Sequence, residues 1–155
     1  MNTGVISSRY ARALLLLTQE SGRGEEVFSQ ARALLKDPSR VPEPLEPDLA
    51  RLVMLLRKNG RGAFLRFVLN DYLRLWCKST DAHMAHLTMA APDPALPDRI
   101  AALIGGKVYI DTETDPSIEG GFTVILDDAV CLDASVRGQL EKIKRQFIER
   151  NSRIV

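Results

Sequence analysis

His83 and His86 are the only imidazoles in this chain of 155 residues, and their i, i+3 spacing is one that holds a metal when it falls on a helix. The residues around them, His83-Met84-Ala85-His86-Leu87-Thr88-Met89-Ala90, read as a strand, which sends the two rings to opposite faces. No third ligand lies near them in sequence, so no metal site is expected. Asp111, Glu113 and Asp115 alternate along a second strand and its continuation. A carboxylate pair can hydrolyse a glycoside, but only in a pocket that keeps one of the two protonated. In Asp-Thr-Glu-Thr-Asp-Pro they read as a solvated edge, which also discourages sheets from joining edge to edge. Gly105-Gly106 and Gly120-Gly121 are not phosphate loops, since neither precedes a Lys-Ser/Thr pair or has G-x-G-x-x-G spacing into a helix. Ser117 and Ser135 have no histidine in local register. Cys77 and Cys131 lack metal-ligand spacing and read as reduced thiols of an intracellular protein. These residues predict no catalytic apparatus, no metal and no cofactor.

Composition bounds the remaining classes. The apolar fraction of 45% is enough to fold one ordinary domain or two small ones, and the net charge of +1 argues against a dedicated nucleic-acid binder. The charge is unevenly distributed: residues 1–80 carry 13 Lys+Arg against 8 Asp+Glu, and residues 81–155 carry 8 against 12. Within the second part the final helix is basic again. Such segregation suits a chain that meets different partners at its two ends, and a solvated surface produces it too. No stretch approaches the ~18 consecutive apolar residues needed to span a bilayer, and the N-terminus has no signal-peptide pattern. A soluble chain that reaches a membrane only through partners is expected.

The elements that must position any functional surface begin with a helix over Ile6 to Glu20, with Ser7 or Ser8 as cap. Tyr10, Ala13, Leu14 and Leu17 lie together on its wheel, Ala11 and Leu15 widen the arc, and Leu16 falls on the far side. A helix apolar nearly all round is wrapped on more than one side, by its own bundle or by a partner. Glu25 to Lys36 forms a second helix with Val27, Ala31, Leu34 and Leu35 inward. The prolines of 37–47 force a loop. A third helix starting at Pro47 or Asp48 buries Leu49, Leu52, Val53 and Leu56 and ends at Asn59-Gly60. Gly62 to Ser79 is the longest helix of this half, apolar from Phe64 to Trp76 on one side, with Phe67 standing among its polar residues.

Thr80-Asp81 marks a boundary between a helical domain, 1–80, and a small α+β domain, 81–155. In the second, the strand at His83 leads through Pro92-Asp93-Pro94 to a short helix with Ile100, Leu103 and Ile104 on one stripe. Lys107 to Asp111 is the next strand. Phe122 to Leu126, a tight turn at Asp127-Asp128, and Val130 to Leu132 make a hairpin. Asp133-Ala134-Ser135 then offers cap side chains to a last helix. Its stripe of Val136, Leu140, Ile143 and Phe147 suffices to dock one face on the sheet, and Ile148 lies off that stripe. The fold class is therefore α+β, an antiparallel helical bundle followed by a small α+β domain with a β-hairpin and a C-terminal helix.

A Gly-Gly strand, an acidic hairpin, D-A-S-V-R-G-Q-L and an amphipathic helix together resemble the C-terminal signature of the delta subunits of F-type ATP synthases, whose mitochondrial counterpart is the oligomycin-sensitivity-conferring protein. Gly120, Gly121, Asp133, Ser135, Val136, Arg137, Gly138 and Leu140 carry that motif here. Arg9-Tyr10-Ala11-Arg12-Ala13-Leu14 is similar to the family's R-Y-A-x-A-L helix near the N-terminus. The resemblance implies a non-catalytic stator subunit of a rotary, proton-translocating ATP synthase. Its N-terminal bundle, six helices in the family against four readable here, would receive the N-terminal helix of an alpha subunit at Tyr10, Ala13, Leu14, Leu17, Phe64 and Phe67. The second domain would bind the C-terminal end of the peripheral-stalk b subunit. It further implies a place on the cytoplasmic face of the bacterial inner membrane, held there by the complex. Around Gly121, Asp133, Ser135 and Gly138 the matched residues read as fold determinants: a close approach, a cap and a packing contact. Two other classes stay open, a helical adaptor module of another assembly and a small enzyme using the acidic edge.

Overall fold

Apolar residues recurring every three or four positions build four α-helices before Thr80, and alternation begins at Ala82. The computed structural model describes residues 3–152; the side chains at 3, 136, 137, 139, 140, 147 and 150–152 lie outside the described residues. Two compact units divide the chain, Met1–Thr80 and Asp81–Val155.

The first unit contains α1 (Thr3–Ser21), α2 (Gly24–Lys36), α3 (Pro47–Lys58) and α4 (Leu65–Ser79), with a 3-10 turn at Gly62–Phe64 leading into α4. Its core holds Ala11, Leu14, Val27, Phe28, Ala31, Leu49, Leu52, Leu56, Val68, Leu69, Tyr72 and Leu73. The helices approach closely where side chains are small. Gly24 is one such place, since a Cβ there would overlap the Trp76 indole. Polar groups buried by the same close packing are satisfied across helices. Ser21 Oγ donates to Asp48 Oδ2 at 2.6 Å, and the Tyr72 hydroxyl reaches Gly24 O at 3.2 Å and Thr18 Oγ1 at 3.4 Å. Burial pushes the Tyr72 phenol up to about 12, against the smaller opposite pull of the Thr18 hydrogen bond.

Ser7 is not the cap of α1. The helix begins earlier, at Thr3, and Ser7 is a buried residue whose Oγ donates to Asp71 Oδ2 of α4 at 2.7 Å. Nor do Tyr10, Ala13, Leu14 and Leu17 share one environment. The buried arc of α1 is Ser7, Ala11, Leu14 and Thr18, with Ala13 exposed and Tyr10 and Leu17 half-buried.

In the second unit, β1 (Ala82–Met89), α5 (Leu96–Ile104), β2 (Lys107–Thr114), β3 (Phe122–Leu126), β4 (Val130–Asp133) and α6 (Val136–Ser152) follow in order, with a 3-10 turn at Pro116–Ile118. The sheet order is β2-β1-β3-β4. β1 and β2 run parallel, joined by α5 as crossover, and the other pairs are antiparallel. Ala85, Leu87, Met89 and Val124 face Leu96 and Ile100 to form the core, with Ile104, Val108, Ile110, Phe122 and Leu126 at its margin. α5 packs on β2, so its cover is offset from the β3–β4 side of the sheet. On β4, Leu132 pairs with Val124 and Val130 with Leu126, yet both β4 side chains are more than half exposed. Leu103 points away from the stripe expected of it and is exposed. Ile143, expected to dock α6 on the sheet, is 52% exposed, and Ile148 is exposed too. The rest of that expected stripe, Val136, Leu140 and Phe147, has its side chains outside the described residues.

Candidate functional site

Two places gather the residues singled out by sequence. The first is the junction where the hairpin feeds α6. Gly121 opens β3 with φ +77°, a backbone that L side chains rarely adopt, and a Cβ there would overlap the Ala134 carbonyl and come within 2.9 Å of Ser135 Cα. The strand start and the helix start are thus in backbone contact. Ala134 N donates to Phe122 O at 2.9 Å and Ala90 N donates to Gly121 O at 3.1 Å, which ties this junction to the end of β1 as well. Gly120 also has positive φ, at +112°.

The cap of α6 is Ser135, whose Oγ accepts from Gly138 N at 3.0 Å. Asp133 does not cap directly. Its Oδ1 accepts from Ser135 N at 2.9 Å and Ser135 Oγ at 2.5 Å, which aims the Ser135 lone pair at the helix. Those Ser135 hydrogen bonds, first the hydroxyl and then the amide, hold the Asp133 carboxyl below the usual carboxylate range. Gly138 is buried, and a Cβ on it would run into the Asp133 carboxylate. Four matched positions, Gly121, Asp133, Ser135 and Gly138, therefore lock one corner of the fold. Val136, Arg137 and Leu140 follow in the chain, with side chains outside the described residues.

The second place is the surface of the bundle. Tyr10 reaches the connection between α3 and α4, its hydroxyl accepting from Asn59 Nδ2 at 3.1 Å and from Arg61 at 3.0 Å. Those two donors, Asn59 first, lower the pKa of the phenol. Phe64 is half-buried in the turn before α4, and Phe67 is 54% exposed on the outer side of α4 with Arg66 and Asn70. Leu14, at 2% exposure, belongs to the core and offers no surface to a partner. Leu16, which periodicity set aside, is 62% exposed and stands on the outer side of α1 with Ala13. Its signal in the sequence was the run Leu14 to Leu17, too long for one face of a helix.

The chemistry-bearing residues of the second unit are dispersed. His83 Nδ1 lies 2.7 Å from Asp127 Oδ2, and Asp127 Oδ1 accepts from Met84 N at 2.9 Å. Desolvation opposes ionisation of Asp127, and the His83 and Met84 hydrogen bonds outweigh it, so its pKa is lowered. His86 projects from the opposite face of β1. Asp111, Glu113 and Asp115 run along and past the edge strand β2, with Asp115 Oδ1 accepting from Ser117 N at 2.9 Å. Cys77 is buried and Cys131 exposed, and neither is in a disulfide. Among the described residues no group of three or more His, Cys, Asp or Glu could hold a metal ion, and no helix is long and apolar enough to cross a membrane.

Residues 39–147 match the family model of the ATP synthase delta (OSCP) subunit. The ATP synthase subunit delta of Phocaeicola vulgatus is 33% identical over an alignment that covers all of both chains. That of Synechococcus is 30% identical, over 89% of this chain and 92% of its own. The Phocaeicola alignment runs over 186 positions against 155 residues here, so about 31 positions are gaps on this side. A chain of the Toxoplasma gondii mitochondrial ATP synthase hexamer shares the fold at a TM-score of 0.66 and 20% identity, over 92% of this chain and 97% of its own. Family model and full-length relatives agree, and the chain belongs to the ATP synthase delta (OSCP) subunit family, whose members are parts of an ATP synthase complex.

Proposed function

We propose that this chain is the non-catalytic stator subunit that links the alpha subunits of the catalytic head to the b subunits of the peripheral stalk. Residues 1–80 dock on the head, residues 81–155 dock on the stalk, and the subunit sits at the cytoplasmic face of the bacterial inner membrane through the complex. Its physical job is to resist torque: rotation of the central shaft would drag the head round unless something held it. The attachment must outlast many turnovers, which asks for slow dissociation and an affinity on the order of nanomolar, about −12 kcal/mol.

The observation that carries the head-docking half is α1, apolar on the buried arc of Ala11 and Leu14 and apolar again on the outer side at Val5, Ala13 and Leu16. The bundle uses one side and leaves the other for a helix laid against it. Tyr10, Leu17, Phe64 and Phe67 stand as its flanks in this reading, and Leu14 acts from beneath as packing. For the stalk half, Val130 and Leu132 on the edge strand and Leu103 on α5 are among the apolar side chains left in water, and they suit an amphipathic helix of a b subunit.

Calorimetric titration of the full chain with a peptide of the cognate alpha N-terminus tests the head contact. Leu16→Asp and Phe67→Asp lie on the surface and should weaken binding by roughly tenfold or more while the circular dichroism stays unchanged. Leu14→Asp would instead put a carboxylate into the core and unfold the bundle. Unchanged affinity in both surface variants removes this site, and no binding by the unmodified chain removes the head-docking role.

A further inference from the structure

We infer that the outer face of α1 selects a helix carrying two carboxylates one turn apart, each followed one turn further out by an apolar residue. The inference rests on the head-docking reading for its choice of site and adds to it the chemistry of the partner. Val5, Arg9, Arg12 and Leu16 are all exposed, and at 3.6 residues per turn they fall within about 60° of one another, opposite the buried arc of Ser7, Ala11, Leu14 and Thr18. They form one straight stripe ~16 Å long with an apolar residue at each end and two guanidinium groups in the middle.

Among the described residues neither Arg9 nor Arg12 has a carboxylate at ion-pair distance. Glu20 shares their face but lies eight residues beyond Arg12, ~12 Å along the axis. Asp71 is engaged by Ser7 on the buried side. An open, shallow depression of about 450 Å³, lined by Gly4, Val5, Ser8, Arg9 and Arg12, takes in the first three residues of the stripe.

The spacing sets the pattern of the partner. Val5, Arg9, Arg12 and Leu16 are separated by four, three and four residues, a sequence that reads the same in both directions. A helix presenting Leu, Glu, Glu and Leu at those intervals therefore matches apolar to apolar and acid to arginine whether it lies parallel or antiparallel. Arginine suits this use because its forked donors grip a carboxylate with two parallel hydrogen bonds. Apolar contacts at the two ends supply adhesion, and the central charges reject partners of the wrong sign.

The test uses the full chain and two designed helical peptides, one with Leu-x3-Glu-x2-Glu-x3-Leu and one with lysine in place of both glutamates. Fluorescence anisotropy should show the acidic peptide binding about tenfold or more tightly than the basic one, with the preference shrinking several-fold between low and high salt. The double variant Arg9→Glu/Arg12→Glu, on an exposed face and with circular dichroism unchanged, should reverse the preference. Equal binding of the two peptides, a preference that survives the reversal, or no binding of either overturns the inference. A cognate alpha N-terminal peptide added as a third probe separates the two readings. If it binds the unmodified chain and the double variant equally, the charge selection falls and head docking stands. If it fails to bind while the acidic peptide binds, head docking falls and the acid-selective stripe stands.

Discussion

Replacing Gly121 by alanine puts a methyl group where the start of β3 meets the start of α6, and two separate costs follow. One is conformational: φ at +77° costs an L residue about 1–2 kcal/mol, less the ~0.4–1 kcal/mol by which alanine stiffens the unfolded chain. The other is steric, because the methyl overlaps the Ala134 carbonyl and approaches Ser135 Cα at 2.9 Å. Those neighbours are backbone, and they carry the Ala134–Phe122 hydrogen bond and the cap of α6, so they cannot give way freely. Overpacking of this kind costs about 1–3 kcal/mol, which brings the expected loss to ~1–5 kcal/mol. Gly106 provides the control, with φ at +71° and nothing within 4 Å of a built Cβ. Gly106→Ala meets the conformational cost alone. Guanidinium unfolding followed by circular dichroism compares the two variants, and hydrogen exchange over 120–138 places the loss. A Gly121→Ala variant no less stable than Gly106→Ala would refute the backbone-contact argument.

Ser135→Ala removes the cap oxygen and should cost about 1 kcal/mol in the unfolding midpoint. The carboxyl behind it, Asp133, titrates below its ordinary value in the folded chain, so its contribution is fully present above about pH 4 and is lost as pH falls through the lowered folded pKa; Asp133→Asn should flatten the acid limb of the stability profile, and an unchanged limb would contradict the pairing. The Tyr72 phenol, pushed up to about 12, stays neutral in the bundle while an unfolded tyrosine ionises near 10, so stability should fall from about pH 10 to 12 and Tyr72→Phe should lessen that fall. Absorbance titration of tyrosinate, with the variant as reference, checks it. Gly24→Ala should destabilise the bundle by about 1–3 kcal/mol and alter the emission of the single tryptophan, since the methyl meets the Trp76 ring.

The α+β class, the strand at His83, the hairpin with its Asp127-Asp128 turn and the Gly105 helix end were legible because each is written in local chemistry: alternation, positive-φ turn residues, and a glycine after the last apolar turn. What periodicity could not do was orient α1 closely. Arg9, Arg12 and Glu20 mark the outer side, but Val5 and Leu16 stand among them and Leu14 to Leu17 are all apolar, so the wheel has no clean polar face. The arc that is buried contains Ser7 and Thr18, because small hydroxyl residues let helices approach and then bond across the gap. Asp133 and Ser135 are both good caps two residues apart, and only the backbone shows that α6 begins after Ser135. The docking expected of Ile143 assumed that an apolar residue on an amphipathic stripe must be covered by its own chain. Under the proposed stator role, such residues are ones a partner would cover.

The central claim is that one chain joins two partners, and reconstitution measures it directly. Catalytic head depleted of this subunit, the soluble part of the cognate b subunits and the full chain should combine into a single complex that native mass spectrometry resolves, at concentrations of order ten nanomolar. Head and b subunits mixed without the chain should stay apart. If they associate equally well without it, or if the chain holds only one of them at a time, the account is wrong.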